Sequence, residues 1–199
     1  ITGSPKFEFK NESSIEDLST DSIVITYFPS FSKGSSISES TSLKVLNILS
    51  KSLENKSNTI FNIKIKDGDE IFVSNNNYST ENINIIEREN SIDVIKRSDI
   101  IIVTTSTVGI EACALDKPLI VIYYEGLESN IFKLYQRFNC ALFANDEQSV
   151  NTALNKLKNK KVIKDLGKGR KLFIEEVLNG SKKGTIKNIS NILEKNIDK

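Results

Sequence analysis

With 199 residues, 38% of them apolar and 27% charged, the chain is long enough to bury a sizeable core, and its formal net charge of +1 leaves no basic footprint for nucleic-acid binding as the main task. No run approaches the roughly 18 consecutive apolar residues of a membrane span. Histidine is absent, which excludes Ser-His and Cys-His nucleophiles, HExxH zinc sites and any histidine general base within these residues.

In chain order, ITGSPKFEFK opens abruptly, as though a strand had just been left, and residues 1–20 are expected to form an entry or linker segment ahead of one domain at 21–199. Residues 22–28 (SIVITYF) are predicted as a β-branched and aromatic strand, closed by the Pro/Ser/Gly loop PSFSKGSS. Over 40–53, Leu43, Leu46, Leu49 and Leu53 recur as a helical stripe. A second strand is expected at 59–65, DGD at 67–69 is a turn, 70–73 its return or extension, and SNNNYST at 74–80 a polar loop.

A third strand is expected at 82–86, a short helix at 91–96 and a fourth strand at 100–103. Helix then follows at 108–115, strand at 118–123, and a helix marked by Ile131, Phe132, Leu134, Tyr135 and Phe138. A short strand at 141–143 leads to a helix at 150–157 that starts near Asp146. From Lys161 onward the pattern is helical except for NGSKKG at 179–184, with Thr185 placed to cap a last helix whose stripe is Ile186, Ile189, Ile192 and Leu193.

Strands that are continuous apolar runs, alternating with helices, imply a parallel sheet covered on both faces. The predicted class is therefore α/β: a doubly wound, Rossmann-like sheet.

Several features carry less weight. The Lys and Arg residues between 156 and 183 are interleaved with Leu, Val and Ile at helical spacing and read as a solvated face; if the chain touches a membrane periphery, these helices are the candidates by charge. Cys113 and Cys140 lie in apolar surroundings and read as small buried residues, too few to make a metal site. Methionine is absent, so the chain is expected to be part of something longer, or processed. With no signal-peptide pattern at the N-terminus, a cytoplasmic location is the default expectation.

In a doubly wound sheet, ligands bind beyond the carboxyl ends of the strands. TTSTVG follows the fourth strand: Thr104, Thr105, Ser106 and Thr107 carry hydroxyls that donate to phosphate oxygens, Gly109 permits close backbone approach, and the first amides of the next helix favour an anion. PSFSKG, after the first strand, offers Ser30, Ser32, Lys33 and Gly34 from a neighbouring strand end. Glu111, one turn beyond Thr107, suits a sugar diol rather than a phosphate. By spacing alone a second reading stands equally: Ser106 and Thr107 cap the helix and Glu111 is a first-turn acid. Neither GxGxxG nor GxxxxGK[ST] occurs.

The run SDIIIVTTSTVGIEACALDKPLIVI, residues 98–122, resembles the donor-binding segment of GT-B glycosyltransferases. ITGSPKFEF and IVITYFPSFSKG resemble the opening, first strand and loop of the C-terminal half of surface-polymer transferases, including the CDP-glycerol glycerophosphotransferase type, and LNGSKKGTIKNISNIL resembles the tail of the UDP-N-acetylglucosamine 2-epimerase branch. The resemblance implies the C-terminal, nucleotide-sugar-binding half of a two-domain transferase acting on a cell-surface polysaccharide or glycolipid acceptor. It places the donor diphosphate at Ser106, Thr107 and the amides near Gly109, with Glu111 at the ribose or sugar and Ser30 and Ser32 facing them. The donor would be linked to UDP, GDP or CDP, no metal or other cofactor is implied, and the acceptor and catalytic base would belong to an N-terminal domain, leaving this piece inactive alone.

Two departures stand out. IKIKDGDE lacks the histidine many relatives carry after the second strand, and Leu119, eight positions after Glu111, replaces the second of the two glutamates that retaining enzymes separate by seven residues. A sugar-nucleotide 2-epimerase half and a non-catalytic Rossmann-type nucleotide- or partner-binding domain are the alternative expectations.

Overall fold

The computed structural model describes residues 22–30, 39–54, 56–66, 83–104, 106–124 and 130–177. Among them are six strands and six helices. In chain order these are β1 (Ile23–Phe28), α1 (Glu39–Leu53), β2 (Thr59–Lys64), β3 (Ile83–Ile86), α2 (Ser91–Arg97), β4 (Ile100–Val103), α3 (Val108–Ala114), β5 (Leu119–Ile122), α4 (Asn130–Arg137), β6 (Leu142–Ala144), α5 (Glu147–Lys156) and α6 (Lys160–Val177).

The strands form one sheet in the order β3-β2-β1-β4-β5-β6, and every pairing is parallel. Alternation along each strand sends successive side chains to opposite faces, so Ile100 and Ile102 enter one core while Ile101 and Val103 enter the other. The first core is closed by Val45, Leu46 and Leu49 of α1 and Val150, Ala153 and Leu154 of α5. The second is closed by Val94 and Ile95 of α2, Ala112 and Cys113 of α3, and Tyr135 of α4. Helix α6 serves both, with Leu166 in the first and Phe173 and Ile174 in the second.

The predicted doubly wound class is observed, because fully buried strands need apolar residues at every position. Boundaries differ by small amounts: α5 begins at Glu147 rather than Val150, since Asp146 caps it and Ser149 returns the bond in a capping box. In α1 the buried line runs through Ser42, Val45, Leu46, Leu49, Ser52 and Leu53, and Leu43 falls at its margin. Serine is tolerated in that line because Ser52 Oγ donates to the Ile48 carbonyl at 2.8 Å. The expectations for 1–20, for 67–82 and for everything after residue 177, Thr185 included, lie outside the described residues.

A buried polar ladder crosses β1, β2 and β3. Ser98 Oγ donates to the Val94 carbonyl at 2.7 Å and lies 2.6 Å from Thr26 Oγ1. Thr26 Oγ1 accepts in turn from Asn62 Nδ2, and Asn62 Oδ1 from Asn84 Nδ2 at 3.3 Å. Each buried polar atom therefore has a partner, which is what allows polar residues in this part of the sheet.

Candidate functional site

Strand order reverses between β1 and β4, and register places Phe28 beside Val103 at their carboxyl ends. The loop carrying Pro29 and Ser30 and the turn carrying Thr104, Ser106 and Thr107 therefore leave the sheet side by side, at the switch point where doubly wound folds bind ligands. Thr105 and Ser32, with Lys33 and Gly34, lie outside the described residues.

Within the turn the hydroxyls differ. Ser106 Oγ accepts from the Val108 amide at 3.2 Å, which leaves its own proton available outward. Thr107 is exposed, sits at helical angles and makes no side-chain bond to the helix start. Thr104 is buried, 3% exposed, and its Oγ1 finds no hydrogen-bond partner among the described residues. The Gly109 and Ile110 amides are bonded to the carbonyls of Ser106 and Thr107 at 3.2 and 2.9 Å, closing the first turn of α3 on itself.

Gly109 has a packing reason as well. A Cβ there would collide with the Tyr135 hydroxyl and lie 3.0 Å from its Cζ, so glycine lets α3 and α4 approach closely. Glu111 lies within α3 and is buried, 3% exposed; it does not sit on the solvent face that a mere first-turn acid would prefer.

The structure adds residues that sequence reasoning missed. A small recess of about 20 Å³ lies at the carboxyl ends of β1, β2 and β4, and brings Lys64, Lys66 and Ser91 into one lining with Ser106. Nothing in the linear spacing of these residues signals the meeting; it follows from the strand order β2-β1-β4. Nearby, Glu89 is held below its ordinary carboxyl range, first by its bond to Arg97, against slight burial, with the charges of Arg97 and Lys64 adding to the effect.

On the opposite face, Tyr27, Thr104 and Tyr124 bring three hydroxyls to the carboxyl ends of β1, β4 and β5, and all three are buried without a hydrogen-bond partner among the described residues. Burial pushes the Tyr27 phenol far up, and the neighbouring Tyr124 reinforces the rise. Tyr124 is raised by burial and by the Asp146 carboxylate.

A larger, shallow recess of about 520 Å³ runs beside β6 and α5, past Phe143, Asp146 and Lys156. It lies at the sheet edge, and none of the sequence-predicted site residues that are described lines it. Among the described residues there is no group of three potential metal ligands, and no helix is long and apolar enough to cross a membrane. Cys113 and Cys140 are unbridged and buried, and burial together with the neighbouring Cys140 thiol raises the Cys113 thiol well above its ordinary value.

No protein-family model matches the sequence, and no curated protein is significantly similar to it. Solved structures are. The chain is similar to the S. aureus MnaA–UDP co-structure, with a TM-score of 0.66, 14% identity, and coverage of 100% of this chain and 54% of that one. The wall teichoic acid polymerase TagF matches at a TM-score of 0.58 and 18% identity over 92% of this chain and 45% of that one. The UDP-GlcNAc 2-epimerase of Methanocaldococcus jannaschii, in complex with UDP-GlcNAc and UDP, matches at 0.55 and 14% identity over 76% and 44%. The chain thus spans about half the length of the solved proteins it resembles. With the parallel order 3-2-1-4-5-6 and these structural matches, the chain is a half-domain of a GT-B-like fold.

Proposed function

We propose that this chain is the donor-binding half of a nucleotide-sugar-dependent glycosyltransferase, and that it acts with an acceptor-binding N-terminal domain of the same protein. The observation that carries the reading is the hydroxyl-bearing turn at Thr104, Ser106 and Thr107, set beside Ser30 at the switch point of a GT-B-like half-domain. Support also comes from neighbours of the same fold that hold UDP or UDP-GlcNAc.

In this reading Ser106 and Thr107 donate to the diphosphate. Buried Glu111 takes a ribose or sugar hydroxyl. An acceptor hydroxyl, its proton passing to a base of the N-terminal domain, attacks the anomeric carbon, the sugar–phosphate bond breaks, and the nucleoside diphosphate departs, its charge stabilised by hydroxyls and basic side chains. The acceptor is proposed to be a cell-surface polysaccharide or glycolipid, which would place the protein at the inner face of the membrane, with α6 as its basic contact. The epimerase neighbours favour one alternative, a sugar-nucleotide 2-epimerase half.

Calorimetric titration of the folded chain with UDP, GDP and CDP, each against its nucleoside, tests the reading. One diphosphate is expected to bind more tightly than its nucleoside. No binding at millimolar concentration would remove both the transferase and the epimerase readings. Turnover by the complete two-domain protein separates those two, since only the transferase consumes an acceptor.

A further inference from the structure

We infer that Lys64, with Ser106 and Ser91, forms an anion-binding recess that takes an oxygen of a phosphate or diphosphate group. As a seat for the donor's diphosphate, this inference rests on the proposed nucleotide-sugar reading. Lys64 closes β2 and is 92% buried, being only 8% exposed. Its Nζ donates to the Ile65 carbonyl at 2.6 Å, which uses one of its three N–H groups. An ammonium group buried this deeply is costly unless an anion or further acceptors reach it.

The recess supplies a place for that anion. Among the described residues its polar lining is Lys64, Lys66, Ser91 and Ser106, with no carboxylate. Ser106 Oγ already accepts from the Val108 amide, so its remaining hydrogen is the one to offer. Glu89, which feels the charge of Lys64, is exposed and already paired with Arg97. The walls are otherwise apolar, formed by Phe28, Pro29, Ile65 and Val108, and a low-dielectric wall strengthens a charge-assisted bond. As it stands the recess admits one water-sized group, which matches a single phosphoryl oxygen and not a nucleoside. The rest of such a ligand would lie outward, across the turn at Ser106 and Thr107.

The test titrates the chain with inorganic pyrophosphate, with UDP and with uridine. Wild type is expected to bind pyrophosphate, and Lys64→Gln to lose about tenfold in affinity for pyrophosphate and UDP, with uridine unchanged. Lys64→Met keeps the buried stem and is expected to behave as Lys64→Gln, whereas Lys64→Arg retains most of the affinity. Pyrophosphate in the wild-type chain is further expected to slow acylation of Lys64 at least about threefold while exposed Lys171 reacts as before, a readout that needs no variant.

Unchanged pyrophosphate affinity in a folded Lys64 variant, or no protection of Lys64 by pyrophosphate, overturns the inference. Pyrophosphate binding that depends on Lys64, without any nucleoside diphosphate binding, upholds the recess and removes the nucleotide reading instead.

Discussion

The ring of Tyr135 in α4 closes on the bare Cα of Gly109 in α3: a Cβ there would lie 3.0 Å from Cζ and 3.4 Å from a Val103 methyl, with the tyrosine hydroxyl nearer still. Overpacking of this kind costs about 1–3 kcal/mol, and that is the expected loss for Gly109→Ala by urea unfolding. Tyr135→Phe alone is expected to cost little, because the Tyr135 hydroxyl has no hydrogen-bond partner among the described residues. In the double variant the alanine is expected to cost less than it does alone. Equal costs in both backgrounds would mean that the Tyr135 hydroxyl is not why residue 109 is glycine.

Arg170 is wholly buried in α6, and its Nε donates to Asp116 Oδ1 at 2.8 Å, while the Asp116 side chain remains 45% exposed. Both Nη atoms lack a hydrogen-bond partner among the described residues. Removing the acid strands a buried cation, but solvent at Asp116 screens part of the loss. Asp116→Asn, which tolerates the positive φ of 55° at this position, is expected to cost about 1–2 kcal/mol. Arg170→Met is expected to cost less, since it removes the charge as well as the pair. The opposite order in chemical denaturation would show that the pair is not what holds the arginine.

Asp146 receives bonds from the Ser149 hydroxyl and then the Ser149 amide, and these hold its carboxyl below the ordinary 3.8. A carboxyl whose folded value is depressed stabilises the folded chain above its unfolded value; that contribution fades as pH falls through the lower folded value. Asp146→Asn is therefore expected to flatten the loss of stability below about pH 4, while capping α5 at neutral pH much as aspartate does. An acid limb as steep as that of wild type would contradict the assignment.

At the candidate site, Ser106→Ala combined with Thr107→Ala is expected to weaken a nucleoside diphosphate about tenfold or more and leave its nucleoside nearly unchanged. Glu111→Ala is expected to weaken both, because a diol is common to both ligands. Equal losses for the two ligands in the hydroxyl variant would remove the phosphate role from the turn.

Cys113 and Cys140 are 1% and 0% exposed, and burial raises the Cys113 thiol. Neither is expected to react with a thiol reagent at neutral pH until the chain unfolds, so labelling should follow the urea transition. Rapid labelling of the native chain would count against the packing of α3 on the 138–141 segment.

The architecture was legible in the linear order of residues because burial on both faces leaves a period-free apolar run for each strand, and helical stripes between them. The runs at 100–103 and 119–122 could hardly be read otherwise. Ser106 and Thr107 were legible as an interruption between two such runs. The start of α5 was half legible: Asp146 was seen near it, but the reciprocal bond from Ser149 was not.

What the sequence by itself determined was the kind of fold and the strand-to-helix turns that make up the candidate site, since periodicity and such turns are local properties. Only the tertiary structure decided which distant groups meet. It set Lys64 and Ser91 beside Ser106, Tyr135 against Gly109 and Asp116 against Arg170. Strand order and helix docking bring such pairs together, and both follow from how whole faces exclude water, which no short stretch of sequence records.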